Sequence, residues 1–321
     1  MGTFTERLGL ERPVVQAGMG GGLAGHELAA AVSEAGALGT IGILGPDQLR
    51  AEIAAARRLT SRPIAVNLLL VLARREHFRA AEEADVLVTF WGQPRRRTSG
   101  PWIHQVGSVE EALAARAAGA DAVIAQGVEA GGHVRGETSA AELLERVRSA
   151  AGQDYPVLSA GGVADSADVQ SRLDAGAEAV VSGTRFLMSD ESGAHPAYKE
   201  RLIGARDTLV TELFGLGWPA PQRVVPNAAT ERWLRHDRRG PGWVRALHRL
   251  SSVGAARVPV AVQARLAATQ RPDRPFFGPA AATVDGPASL VDAGPLYAGE
   301  SVTRIDDVRP AAELVDLLTP E

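Results

Sequence analysis

What most constrains this chain is an alternation that runs through its first 185 residues. Short apolar runs are followed by glycine-bearing turns and then by amphipathic stretches of helical period. The runs Val14–Ala17, Leu38–Ile43, Ile64–Leu68, Val86–Phe90, Trp102–Val106, Ala122–Ala125, Pro156–Ala160 and Ala179–Ser182 read as eight strands. His26–Glu34, Pro46–Leu59, Arg74–Glu83, Val109–Ala118, Ala140–Arg148 and Ser166–Ala175 read as the helices between them. Eight β units in succession predict an α/β chain folded as a (β/α)8 TIM barrel rather than an open sheet. One unit is defective: Gly92 to Pro101 holds three arginines and two prolines, too short and broken for a crossover helix, so an irregular connection is expected there.

From about Arg206 the alternation stops. Trp218-Pro219-Ala220-Pro221, Arg239-Gly240-Pro241-Gly242 and Arg271-Pro272-Asp273-Arg274-Pro275 punctuate helical stretches such as Ala228–His236 and Ala261–Ala268. The tail, Pro310–Leu318, is amphipathic and is expected to return as the last helix of the barrel. The predicted organisation is therefore a barrel of residues 1–205 and 290–321 with a mostly helical inserted second domain, 206–289, on its substrate side. Trp218, Trp233 and Trp243 are assigned to the core of that appendage.

Composition narrows the partners. The net charge of −4 gives no reason to expect nucleic acid, and no apolar run reaches the length of a membrane span. The absence of cysteine removes disulfides, thiolate metal sites and cysteine nucleophiles, and fits a reducing cytoplasm. The N-terminus has no apolar segment of the signal-peptide kind, and Glu6 spoils its likeness to a myristoylation site. No histidine pair has the spacing of a metal site, so no metal is expected. The partners expected are a small-molecule substrate and O2, and the chain is compatible with a homo-oligomer.

In a barrel of this type, functional groups lie at the C-terminal ends of the strands. That rim collects Gly18-Met19-Gly20-Gly21-Gly22 after the first strand, Asn67 after the third and Gln126 to Gly136 after the sixth. The seventh strand ends in Gly161-Gly162, and the eighth in Ser182-Gly183-Thr184. The last two turns occupy the usual phosphate position of barrels, and can offer backbone N–H groups and two hydroxyls to a dianion. Gly20-Gly21-Gly22-Leu23-Ala24-Gly25 matches a dinucleotide fingerprint, but the acidic residue needed near the end of the second strand is absent. These glycines read instead as backbone lying close to a flat ligand. His133, alone in a loop where four of eleven residues are glycine, is the catalytic candidate. Glu129 reads as a carboxylate that orders the loop ahead of serving as a second acid-base group, and Tyr297 as either a pocket wall or a packing residue at the domain junction.

These residues resemble the nitronate monooxygenase (2-nitropropane dioxygenase) family of FMN flavoproteins, whose fold and motifs are shared by flavin-dependent enoyl-ACP reductases. The resemblance rests on Gln126-Gly127-Val128-Glu129-Ala130-Gly131-Gly132-His133, Ala160-Gly161-Gly162-Val163-Ala164-Asp165 and Gly183-Thr184-Arg185-Phe186. Ala17-Gly18-Met19, Asn67 and Tyr297-Ala298-Gly299 support it, so it spans barrel and tail. It implies that Gly161, Gly162, Ser182, Gly183 and Thr184 hold the FMN phosphate. It further implies that Asn67, Gln126 and Gly131 contact the flavin and ribityl chain, that Gly18 and Met19 pack near the ring, and that His133 faces its reactive side. Three departures bear on the substrate: the short connection after the fourth strand, Trp91 at that strand's end, and Glu300 where many members carry Gln. The activity implied is oxidation of an alkyl nitronate by O2 to a carbonyl compound and an oxidised nitrogen species. His133 would orient the nitronate, or accept a proton from a neutral nitroalkane. The alternative is NAD(P)H-dependent reduction of enoyl thioesters.

Overall fold

The computed structural model describes residues 3–255, 267 and 269–321. The helix expected at 261–268 lies outside them except for Ala267. Strands run in the order β1 (Val14–Gln16), β2 (Gly39–Ile41), β3 (Ile64–Leu69), β4 (Val86–Phe90), β5 (Trp102–Val106), β6 (Ala122–Gln126), β7 (Gly132–His133), β8 (Val157–Ala160) and β9 (Val180–Ser182). All but β7 form one parallel sheet in the order β1-β9-β8-β6-β5-β4-β3-β2. The ring closes through a parallel bridge between Val15 and Leu38, where the Gln16 N–H donates to the Leu38 carbonyl at 2.9 Å. The eight expected strands are thus the eight staves of a barrel, the expected seventh and eighth being β8 and β9.

The alternation of side chains across each strand explains the two cores. Val15, Leu38, Ala65, Val86, Val88, Ile103, Ile124, Leu158 and Val181 fill the interior, with Phe4 and Leu8 of the N-terminal turn among them. Their neighbours Ile41, Val66, Leu68, Leu87, Trp102, Val123 and Val157 face out, onto Leu49, Ile53, Leu143, Leu144 and Val147 of the surrounding helices. Packing is close enough to demand glycine at one point: a Cβ on Gly39 would lie 1.9 Å from the Ala29 carbonyl oxygen of helix His26–Glu34.

No helix forms between β4 and β5, as the Pro- and Arg-rich segment predicts. Arg96 holds it in place, donating to the carbonyls of Gly100 and Gly119 and pairing with Asp121 at 3.1 Å. The last helix, Ala311–Leu318, buries Ala311, Leu314, Val315 and Leu318 against Leu28, Val32, Val169 and Phe186. The tail therefore completes the helical layer, and the Glu191 carboxylate caps this helix by accepting from the Ala311 N–H at 2.8 Å.

The segment after the barrel contains the helices Ala228–Trp233 and Gly242–Ala255, and also two strands that its sequence does not announce. These are β10 (Leu209–Thr211) and β11 (Gln222–Val225), three and four residues long. With β12 (Leu296–Tyr297) and β7 they make a small antiparallel sheet. In it Gln222 pairs with His133, Arg223 with Gly132, and Val224 with Tyr297. The appendage is thereby stitched onto the loop after β6. No described helix is long and apolar enough to cross a membrane.

Candidate active site

Alternation along β3 and β6 sets Asn67 and Gln126 on the side of the interior residues Ala65 and Ile124, at the C-terminal mouth of the barrel. Asn67 Nδ2 donates to the Gly18 carbonyl at 2.9 Å, and a Cβ on Gly18 would fall 2.4 Å from that of Asn67. Glycine is therefore required where the loop after β1 crosses the mouth. Asn67 Oδ1 and Thr40 Oγ1 are buried there with no protein partner. A buried acceptor left unpaired costs ~1–3 kcal/mol, which a ligand donor would recover. Met19 follows Gly18 half-buried, its carbonyl accepting from the Ala24 N–H at 3.1 Å.

The β8 turn carries Gly161 at φ +119° and Gly162 at φ +78°, backbone that side chains rarely adopt. Arg304 of the tail fixes this turn, donating to the Gly162 carbonyl at 2.9 Å while pairing with Asp168 at 2.7 Å and Asp165 at 3.2 Å. Beside it, Gly183 has an ordinary φ of −106°, and a Cβ there would meet only the Ala17 Cβ, at 3.5 Å. Thr184 Oγ1 accepts from the Gly299 N–H at 2.9 Å and keeps its own proton. Ser182 Oγ is buried without a partner, on the side of β9 that Val180 turns toward the tail helix. Its hydroxyl thus lies behind the glycine turn rather than in the mouth.

The loop after β6 is ordered from within. Gln126 Nε2 donates to the His133 carbonyl at 2.9 Å, and its Oε1 accepts from the Arg135 N–H at 3.3 Å. Both ends of this amide are spent on the loop backbone. Glu129 behaves as the loop-ordering carboxylate expected, accepting from the Ala140 N–H at 2.9 Å. Gly131 is where the tail presses in: a Cβ would lie 2.5 Å from the Gly299 nitrogen. Arg223 of β11 locks the same loop, donating to the Val128 carbonyl at 2.9 Å and to Thr208 Oγ1 at 2.9 Å, and pairing with Glu300 at 3.0 Å. That ion pair is the local reason for a carboxylate at position 300.

His133 stands in an aromatic wall. Its imidazole stacks on the Trp218 indole, centroids 3.7 Å apart and planes 18° from parallel, and meets Tyr297 at 5.7 Å. Trp218 in turn meets Trp91 edge-on at 5.5 Å. Trp91 holds φ +54°, the sole positive value among described non-glycine residues, with the Arg135 guanidinium 4.5 Å from its ring centroid. The assignment of Trp218 to the appendage core is corrected here. Its indole leaves that core for the barrel mouth; Trp233 does pack against the appendage core, but Trp243, 57% exposed, only edges onto the Trp233 ring 6.0 Å away, so its assignment to the core is corrected too. Tyr297 does both things expected of it: its ring borders His133, and it packs between the tail and appendage cores with its hydroxyl donating to the Pro279 carbonyl at 2.9 Å. Burial lowers the His133 pKa to about 3, so the ring is neutral near pH 7. Its Nε2 lies 3.1 Å from Gln222 Nε2. Gln222 and Trp218, both on the appendage, are the residues that sequence reasoning missed. No motif marks either one, and only the strand pairing brings them to His133.

A buried histidine of the barrel, His104, takes part in a structural relay. Trp102 Nε1 donates to Thr89 Oγ1 at 2.7 Å, and the same hydroxyl is hydrogen-bonded to His104 Nδ1 at 2.7 Å. Burial lowers the His104 pKa to about 4. Among the described residues, no group of three or more His, Asp or Glu side chains is placed to hold a metal ion.

The profile of the nitronate monooxygenase family matches residues 3–106 and 95–321. A probable nitronate monooxygenase of Staphylococcus saprophyticus is 34% identical over 291 residues, covering 73% of this chain and 81% of its own. A 5-hydroxy-7a-methyl-1-oxo-octahydro-1H-indene-4-carboxyl-CoA dehydrogenase of Rhodococcus jostii is 30% identical over 98% of this chain and 93% of its own. Among solved structures, FabK of Thermotoga maritima superposes with a TM-score of 0.76 at 30% identity, over 99% of this chain and 95% of its own. The nitroalkane oxidase of Streptomyces ansochromogenes superposes with a TM-score of 0.74 at 28% identity, over 98% and 96%.

Proposed function

The chain belongs to the nitronate monooxygenase family of flavin-dependent oxidoreductases, and from that premise we propose that it oxidises small alkyl nitronates with O2, using FMN, to carbonyl compounds and oxidised nitrogen species. The mouth of the barrel fits a flavin on its own chemistry. Asn67 Oδ1, an acceptor, and the Thr40 hydroxyl, which can donate or accept, are buried without protein partners, and Gly18 admits no side chain. Gly161, Gly162, Gly183 and Thr184 would hold a single phosphate, with Ser182 behind them. Asn67, Gln126, Gly131 and Met19 would contact the ring and ribityl chain. Bound flavin supplies the acceptance of electrons from the substrate and their passage to O2; the protein supplies binding and orientation.

The single observation that carries the substrate class is the setting of His133: one neutral imidazole in a wall otherwise made of Trp91, Trp218 and Tyr297. Such a wall receives an alkyl chain, and the imidazole offers one polar contact to the oxygens of a planar nitronate. Purified, flavin-loaded enzyme should consume O2 when given an ethyl or propyl nitronate, with no pyridine nucleotide present. O2 uptake at the buffer rate with every nitronate tried would overturn the proposal.

A second reading keeps its place because of the Rhodococcus jostii relative, whose name carries a CoA thioester and which spans nearly the whole chain. On that reading the enzyme acts on an enoyl thioester with NAD(P)H. Rapid oxidation of NADH or NADPH dependent on an enoyl thioester would favour it.

A further inference from the structure

We propose that Gln222 is a positioning residue that fixes the proton of His133 on Nδ1, so that the imidazole meets the substrate as a hydrogen-bond donor and its Nε2 is closed to proton transfer. The catalytic consequence rests on His133 facing the substrate, as proposed above; the proton's location does not.

Gln222 is fully buried in β11, directly across the small sheet from His133. Its amide nitrogen lies 3.1 Å from the Phe214 carbonyl and 3.1 Å from His133 Nε2. An amide nitrogen has two protons to donate, and these two contacts use both. Inverting the amide would set its oxygen 3.1 Å from the Phe214 oxygen, two acceptors facing each other with no proton between them. The Phe214 carbonyl therefore decides which way the amide points. A ring nitrogen that receives an N–H must present its lone pair, so His133 Nε2 is unprotonated. A neutral imidazole then carries its proton on Nδ1.

The ring is held against turning. Trp218 covers one face at 3.7 Å, Tyr297 flanks it, and Gln126 anchors its backbone carbonyl at 2.9 Å. Nδ1 has no protein partner among the described residues, so it is the nitrogen left for a ligand. The lowered pKa agrees with a ring that stays neutral. Buried Gln222 Oε1 goes unpaired in this arrangement, which places the amide's two donors ahead of its own satisfaction.

The test is nitrogen NMR of flavin-loaded protein labelled with 15N-histidine, the His133 signals being assigned with His133→Asn. In the wild type, Nδ1 should resonate in the N–H range and Nε2 in the lone-pair range. Gln222→Met keeps the volume and removes the donor, so both tautomers should appear. Gln222→Glu supplies an acceptor and should move the proton to Nε2, with kcat lowered about tenfold, the worth of one hydrogen bond, and flavin content unchanged. A wild-type spectrum with the proton on Nε2 overturns the proposal by itself, even if neither variant folds. So does an unmoved tautomer in both variants. Loss of nitronate oxidation as the activity, with the proton still on Nδ1, would instead count against the proposed reaction alone.

Discussion

The His133 imidazole and the Trp218 indole lie face to face, 3.7 Å apart and 18° from parallel. One ring belongs to the barrel's glycine loop and the other to the appendage, so the appendage reaches the barrel mouth, where the proposed reaction is placed. Replacing Trp218 by Ala should leave the flavin bound, since none of its proposed contacts lies on the appendage. Turnover should fall about tenfold or more as the imidazole loses its cover and its fixed plane. Trp218→Phe, which restores a ring face, should recover much of it. Steady-state kinetics at measured flavin content decides; an unchanged kcat in Trp218→Ala would make the stack incidental.

Gly183 offers the cleanest probe of the phosphate turn. Gly161 and Gly162 have positive φ, so any side chain there strains the backbone whether or not a ligand binds. Gly183 has neither strain nor a crowded Cβ. Gly183→Leu should therefore fold with a wild-type circular dichroism spectrum yet purify colourless, because the added side chain occupies phosphate space. Full flavin occupancy in that variant would remove the phosphate assignment.

Acid should expose the histidines that the fold keeps neutral. His104 titrates near 6.5 when unfolded and near 4 when folded. Below pH 6.5 the unfolded chain binds a proton that the folded chain refuses, so stability falls as pH falls. The loss from His104 should be about 2 kcal/mol by pH 5 and should level off below pH 4. His133 adds a loss of the same sign that continues to about pH 3. Urea midpoints of the wild type and of His104→Asn, compared at pH 7 and pH 5, should show a smaller drop in the variant; equal drops would contradict the assignment.

Glu300 and Arg223 form an unequal pair. The Glu300 side chain is 51% exposed and the Arg223 side chain 9%. Glu300→Gln should cost under about 1 kcal/mol, as exposed ion pairs do. Arg223→Met should cost more, roughly 2–3 kcal/mol, because it strips the Val128 carbonyl and Thr208 of their donor. Thermal unfolding of the two variants gives the comparison, and equal losses would contradict it.

The barrel was legible because its signals are local and repeated. Each strand alternates between an interior and an exterior core, and each glycine turn sits at a strand's C-terminal end. His133 was legible for the same reason, as the single imidazole in the longest of those turns. Gln222 and Trp218 were not. Gln222 reaches His133 from 89 residues away, through paired strands of two and four residues, too short to show a period. Trp218, in a Trp-Pro-Ala-Pro run, has the composition of a loop, and the stack exists only once β11 has paired with β7. Gln126 was correctly placed at the mouth, but the loop's own backbone claims both ends of its amide, a competition that spacing does not reveal.

In the proposed reaction a nitronate itself reduces the bound flavin. The direct measurement is the flavin absorbance spectrum of purified enzyme without oxygen, followed after adding millimolar ethyl or propyl nitronate and, separately, NADH or NADPH. The nitronate should bleach the flavin, O2 should restore the oxidised spectrum, and either pyridine nucleotide should bleach it slowly or not at all. Rapid bleaching by NADH or NADPH, with no response to any nitronate, would contradict it.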